Sequence, residues 1–185
     1  MIDSFEAVKT ISRHRGDALI VAEMTTATEL PVVSTRPDLD LSFNWAAMGK
    51  GSSLALGLAL ARPERKVFML DGDGALLMNL GSLVTIAQMA PPNLIHFLFN
   101  NGVYRCTGGQ SLPRAGRIDF ASLSQIVGYP NVYDFADLKT LENKIEMIIN
   151  QGGLTFVNLQ VTPGVGPPFP YVPVRDVVER FWSSL

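Results

Sequence analysis

The chain is short of cysteine, of charge and of long apolar runs. Its single cysteine, Cys106, excludes an internal disulfide framework and fits a reducing, cytoplasmic setting. Charged residues make up 17% of the chain, against about 25% in ordinary globular proteins. Hydrophobic residues stand at the usual level, 47%, so the deficit lies in charge. A small domain has much surface to cover, so missing charge implies that some surface faces protein rather than water. An obligate partner or oligomer is expected; an uncharged surface rich in Ser, Thr and Asn is the alternative. No run of about 18 apolar residues occurs, and Leu54 to Ala61 is broken by Gly57, so a membrane span is not supported. The amino end lacks the basic-then-apolar pattern of a signal peptide. Fifteen Lys and Arg against seventeen Asp and Glu, with no long run of either sign, argue against a nucleic-acid surface.

What is present is a series of apolar runs that stop abruptly. Val67 to Leu70 ends in Asp71-Gly72-Asp73-Gly74, and Leu94 to Phe99 ends in Asn100-Asn101. Such runs read as buried strands of a parallel sheet, with Asp73 and Asn101 at their carboxyl ends. Open α/β sheets bind ligands just beyond those ends.

Strands alternate with helices about six times along the 185 residues, which predicts one doubly wound α/β domain with helices on both faces. Asp3 with Glu6 is spaced as a capping box and opens a helix over 4–14. A strand over 18–22 delivers Glu23 to Thr26. A loop with two prolines is expected over 31–40, then a short strand over 41–44. The Ala-, Gly- and Leu-rich stretch 45–60 reads as a helix buried in a tight interface. Helices are expected over 76–89, 118–127 and 138–149, strands over 131–135 and 155–161, and a polar, glycine-rich loop over 101–116. The boundary is placed at 162, before a proline-rich tail, 163–185, that runs extended and ends in a short helix over 174–182.

Asp73 between two glycines suits a hard cation, since glycine permits close backbone approach and Mg²⁺ takes oxygen ligands. The amide of Asn101 can add a second oxygen. The 25 residues 75–99 between Gly74 and Asn100 hold one crossover helix and a return strand, so the two tips can be adjacent. The amides of Gly74 and Ala75 can receive a phosphate. Asp-Gly and Asn-Gly are also ordinary turn dipeptides; matched spacing across a β–α–β unit favours the site.

Gly72-Asp73-Gly74, 25 residues, then Asn100-Asn101 resembles the cofactor motif of the thiamine-diphosphate (ThDP)-dependent decarboxylases. Glu23-x-x-Thr26, Ala46-Ala47-Met48-Gly49, Ser52 to Ala59, Met78 to Leu83 and Gly102-x-Tyr104-x-x-Thr107-Gly108-Gly109-Gln110 follow in the family's order, so the likeness spans roughly 15–160. Within the family it is strongest to the branch acting on sulfopyruvate or phosphonopyruvate. The resemblance implies a ThDP-binding fold with a mainly parallel sheet, and a carbon–carbon lyase that binds ThDP and Mg²⁺. It implies metal ligation by Asp73, Asn101 and the Val103 carbonyl. It places Glu23, Thr26, Gly72, Gly74, Ala75, Tyr104 and Cys106 around the cofactor. Met48 would hold the two cofactor rings in their V shape, and the Ala46 carbonyl would accept from the pyrimidine amino group. Met24, Ala46 and Arg105 stand where these relatives often have glycine. Arg105 can pair with the anionic tail of a small 2-oxo acid, or can be a solvated loop residue. His96 reads as a core histidine.

In this family the glutamate that activates the cofactor comes from a separate pyrimidine-binding domain. A chain holding both domains would be roughly twice as long. The expectation is therefore half an enzyme, active as a dimer or hetero-tetramer with a pyrimidine-binding, alpha-type subunit. A carboligase of acetolactate-synthase type and a non-catalytic ThDP- or nucleotide-binding regulatory subunit are the alternatives.

Overall fold

The computed structural model describes residues 1–43, 48–163 and 172–185. Six parallel strands form one sheet: β1 (Leu19–Glu23), β2 (Asp40–Phe43), β3 (Val67–Gly72), β4 (Leu94–Asn100), β7 (Asn131–Phe135) and β8 (Thr155–Gln160). Their spatial order is β2-β1-β3-β4-β8-β7, parallel throughout. The chain steps one way from β1 to β2 and then the other way from β1 to β3. The crevice between β1 and β3 is thus the topological switch point of the sheet, where α/β folds bind ligands. The strands β5 (Val103–Tyr104) and β6 (Gln110–Ser111) form a separate two-residue antiparallel pair.

Continuous apolar runs place β1, β3 and β4 at the centre because both of their faces are covered. One face packs on α1 (Ser4–His14), α2 (Met24–Val33) and α7 (Leu138–Asn150), through Val8, Ile11, Leu30, Leu141 and Ile145. The other packs on α3 (Gly51–Ala61), α4 (Asp73–Met78), α5 (Ser82–Met89), α6 (Phe120–Val127) and α8 (Val174–Trp182). The α8 helix buries Val177 and Phe181 in that second layer, and Arg180 Nε donates to the Pro37 carbonyl at 2.9 Å. Asp3 caps α1 by accepting from Glu6 N at 3.1 Å, but the Glu6 carboxylate turns to Lys9 instead of closing the box.

Three expectations are revised. The segment 24–33 forms α2, although Pro31 marks it as the start of a loop; the proline falls in the last turn, near where the helix ends at Ser34. The helix expected over 76–89 is two helices. Asn79 Nδ2 donates to the Gly49 carbonyl at 2.9 Å, and Ser82 N bonds back to Asn79, so a turn separates α4 from α5. The helix expected from residue 45 opens at Gly51; residues 44–47, and 164–171 of the proline-rich tail, lie outside the described residues.

One ion pair ties the first helix to the edge of the sheet. Arg15 and Asp40 are both buried and paired, and Arg15 also donates to the carbonyls of Ala18 and Leu39. Arg15→Met should lower the unfolding free energy by about 3–5 kcal/mol, because it strands a buried carboxylate. Denaturant titration measures it, and a loss under 1 kcal/mol would contradict the assigned burial.

Candidate functional site

Every candidate residue that the structure describes borders one cavity at the switch point. The end of β1 and the start of α2 supply Glu23, Met24, Thr25 and Thr26. The β3–α4 junction supplies Gly72, Asp73, Gly74 and Ala75, and the segment after β4 supplies Asn101, Val103, Tyr104, Arg105 and Cys106. Met48 comes from the segment preceding α3. Ala46 lies outside the described residues.

Asp73 is fixed by the backbone of both strand ends. Its Oδ1 accepts from Gly74 N at 2.8 Å, and its Oδ2 accepts from Asn101 N at 2.9 Å and Gly102 N at 2.6 Å. Burial raises its pKa, and these N–H donors pull it back by favouring the charged form. Asn101 Oδ1 accepts from Val103 N at 2.9 Å, which orders the turn carrying that carbonyl. Oδ1 of Asp73 keeps lone-pair capacity, so the carboxylate and amide oxygens fit a hard cation. Among the described residues no group of three His, Cys, Asp or Glu can hold a metal, so phosphate and water must complete such a shell.

Glycine is required at two places here. A Cβ on Gly74 would stand 2.7 Å from the Tyr104 ring and 3.2 Å from Leu112. A Cβ on Gly51 would stand 2.4 Å from Met69 Cε and 3.0 Å from Glu23 Cδ. The Glu23 carboxyl is therefore wedged under the first turn of α3. Thr26 Oγ1 donates to the carbonyls of Glu23 and Leu70, each at 2.9 Å, and so links β1 to β3.

Beneath the cavity lies a polar trio that the sequence did not reveal as a unit. His96, wholly buried, donates from Nε2 to Asp71 Oδ2 at 2.9 Å. Burial lowers the His96 pKa to about 4, so the ring is neutral at pH 7. Glu23, 1% exposed, is pushed up to about 10 by burial and then by the neighbouring Asp71. Neither Glu23 oxygen meets a donor, and a proton on Glu23 supplies one towards Asp71. Only the spacing of Asp71 and His96 on neighbouring strands hinted at this, and a one-strand reading cannot show it. The core reading of His96 stands, with a partner added. Thr25 Oγ1 and Cys106 Sγ lie 3.4 Å apart, closing the wall between α2 and the turn after β5.

Fold and site together define a cofactor-binding α/β domain built around the β1–β3 crevice. Residues 22–159 match the family described as thiamine pyrophosphate enzyme, C-terminal TPP binding domain, and the chain belongs to that family. It is 35% identical to the sulfopyruvate decarboxylase beta subunit of Methanothermobacter thermautotrophicus, over 98% of this chain and 94% of that one. It is 36% identical to the phosphonopyruvate decarboxylase of Streptomyces viridochromogenes over 89% of this chain, but spans only 41% of that longer protein. Among solved structures, benzoylformate decarboxylase from Polynucleobacter necessarius superposes with a TM-score of 0.75 at 18% identity, covering 90% of this chain and 34% of that one, which shows the shared fold.

The raised Glu23 pKa has a signed consequence. Below its ordinary 4.5 the group is protonated in both states and its full contribution to stability is present. As pH rises towards 10 the unfolded chain gains from ionising and the folded chain does not, so that contribution is lost. Glu23→Gln keeps the shape without the proton. From pH 6 to 9, Glu23→Gln should gain on the native protein by about 1.4 kcal/mol per pH unit in denaturant titrations. Parallel curves would refute a protonated Glu23. Gly74→Ala should weaken cofactor binding at least about tenfold, since the Tyr104 ring must move; unaltered affinity in a calorimetric titration would contradict the close approach.

Proposed function

We propose that the chain is the ThDP- and Mg²⁺-binding subunit of a 2-oxo-acid decarboxylase, active with a separate pyrimidine-binding subunit that supplies the activating glutamate. The observation that carries this reading is Asp73, held by N–H groups of two adjacent strand ends inside a cavity within the TPP-binding family match. Sulfopyruvate ranks ahead of phosphonopyruvate, because the beta-subunit relative matches nearly end to end. Residues 1–162 form the binding domain and 163–185 its tail, in a cytoplasmic enzyme. No described helix is long and apolar enough to cross a membrane.

Asp73, the Asn101 side chain and the Val103 carbonyl would hold Mg²⁺. Thr26, Gly74 and Ala75 would meet the diphosphate, with Gly72 giving the backbone room. Met48 would support the rings from below, apolar and deformable enough to fill the space between them. Glu23, Tyr104 and Cys106 would frame the cofactor, and the Ala46 carbonyl would accept from the pyrimidine amino group. Bound ThDP supplies an electron sink for the pair released as carbon dioxide leaves the 2-oxo acid. Arg105 borders the same cavity and would take the anionic tail of the substrate.

The cavity itself supports the need for a partner. It encloses about 40 Å³, whereas cofactor sites span about 300–1,000 Å³. On this reading the described residues would form one wall of a cleft, and a second subunit, in a dimer or hetero-tetramer, would form the other. The carboligase reading has support from a 32% identity to the acetolactate synthase large subunit of Haemophilus influenzae over 62% of this chain.

Co-expressed with its partner subunit, the protein should release carbon dioxide from sulfopyruvate or phosphonopyruvate. Carboligated product without free aldehyde would favour the synthase reading, and intact 2-oxo acids would favour a regulatory one. Asp73→Ala should abolish the Mg²⁺-dependent part of ThDP binding in calorimetry of the complex; retained affinity would refute the assigned ligand.

A further inference from the structure

We propose that Met24 determines substrate size, narrowing the cavity to 2-oxo acids of three backbone carbons. The proposal rests on the decarboxylase reading above.

Three non-glycine residues among those described have left-handed backbone: Met24 (φ 55), Ala90 (φ 42) and Arg114 (φ 58). Ala90 ends α5, where a left-handed residue is the ordinary way to stop a helix. Arg114 sits in an exposed turn. Met24 has neither setting: it opens α2 directly after buried β1, and it lines the cavity. A side chain there carries a steric penalty that glycine escapes. The backbone turn alone would be served better by glycine, so what the methionine adds is its side chain.

That side chain is apolar and cannot ligate Mg²⁺ or donate to a diphosphate. It can only occupy space. Its neighbour Thr25 touches Cys106, so Met24 belongs to the wall facing the turn that carries Arg105. A thioether lining the same cavity as the residue assigned to the anionic tail would limit how far that tail can stand from the reacting carbonyl. Met24 and Arg105 line the same cavity, so the three heavy atoms past the Met24 Cβ take room from any ligand held there.

The test uses the co-expressed complex carrying native Met24, Met24→Ala or Met24→Gly. kcat/KM is measured for sulfopyruvate or phosphonopyruvate, whichever the native complex accepts, and for the homologue longer by one methylene. The native complex should prefer the shorter acid by about tenfold or more, the usual range for one methylene in a shaped pocket. Both variants should bring that ratio to within about threefold of unity. Met24→Ala keeps the strained backbone and Met24→Gly relieves it, so equal shifts assign the effect to the side chain. A native preference left unchanged in both variants overturns the steric role. A shift in Met24→Gly alone overturns it too, assigning the effect to backbone strain. A native complex that decarboxylates no 2-oxo acid overturns the functional reading, and this proposal with it.

Discussion

The carboxylate of Asp73 is where the molecule's constraints meet. A buried carboxylate without donors would take up a proton, and a protonated acid makes a poor ligand for a hard cation. Three backbone N–H groups oppose that, although burial still leaves its pKa raised: one comes from its own helix and two from the tip of the neighbouring strand. The arrangement exists only because β3 and β4 run parallel and in register, Gly72 beside Phe99, so that both strands end at the same level. The 25-residue crossover between the tips, with its helices on the second face of the sheet, makes that register possible. The site is thus less a cluster of side chains than a property of two strand ends.

Beneath Asp73 the sheet carries an unusual load. Glu23, Asp71 and His96 come from three adjacent strands and are nearly inaccessible. Such a group is tolerable when its charge is small: a neutral imidazole, a protonated glutamate and one shared anion satisfy that condition. Because Glu23 also lies under the Gly51 backbone, the same group sets how closely α3 approaches β1. α3 in turn follows the segment bearing Met48. Electrostatics in the core and geometry at the cavity wall are therefore coupled.

Much of this was legible in the residues. The amphipathic helices α1, α7 and α8 followed from apolar spacing and caps, because their periodicity reports a one-sided contact. Asp73 and Asn101 were identified by the abrupt ends of apolar runs. Other features resisted. α2 was masked by Pro31, since a proline normally ends a helix and here it falls in the last turn. The break between α4 and α5 depends on Asn79 reaching the Gly49 carbonyl, thirty residues away in sequence. No local propensity encodes that bond.

The chain alone therefore determined the alternation of strands and helices and the strand ends that carry the candidate residues, and the order of its motifs pointed to the family that the match over 22–159 shows. The alternation and the strand ends follow from period, composition and spacing, which are local. Only the tertiary structure decided that the crevice lies between β1 and β3, that His96 partners Asp71, that Glu23 is buried beside Asp71, and that Met24 is held left-handed at the cavity wall. Each depends on segments distant in sequence sharing a dry interior, where the cost of an unpaired polar group or a steric clash selects the arrangement.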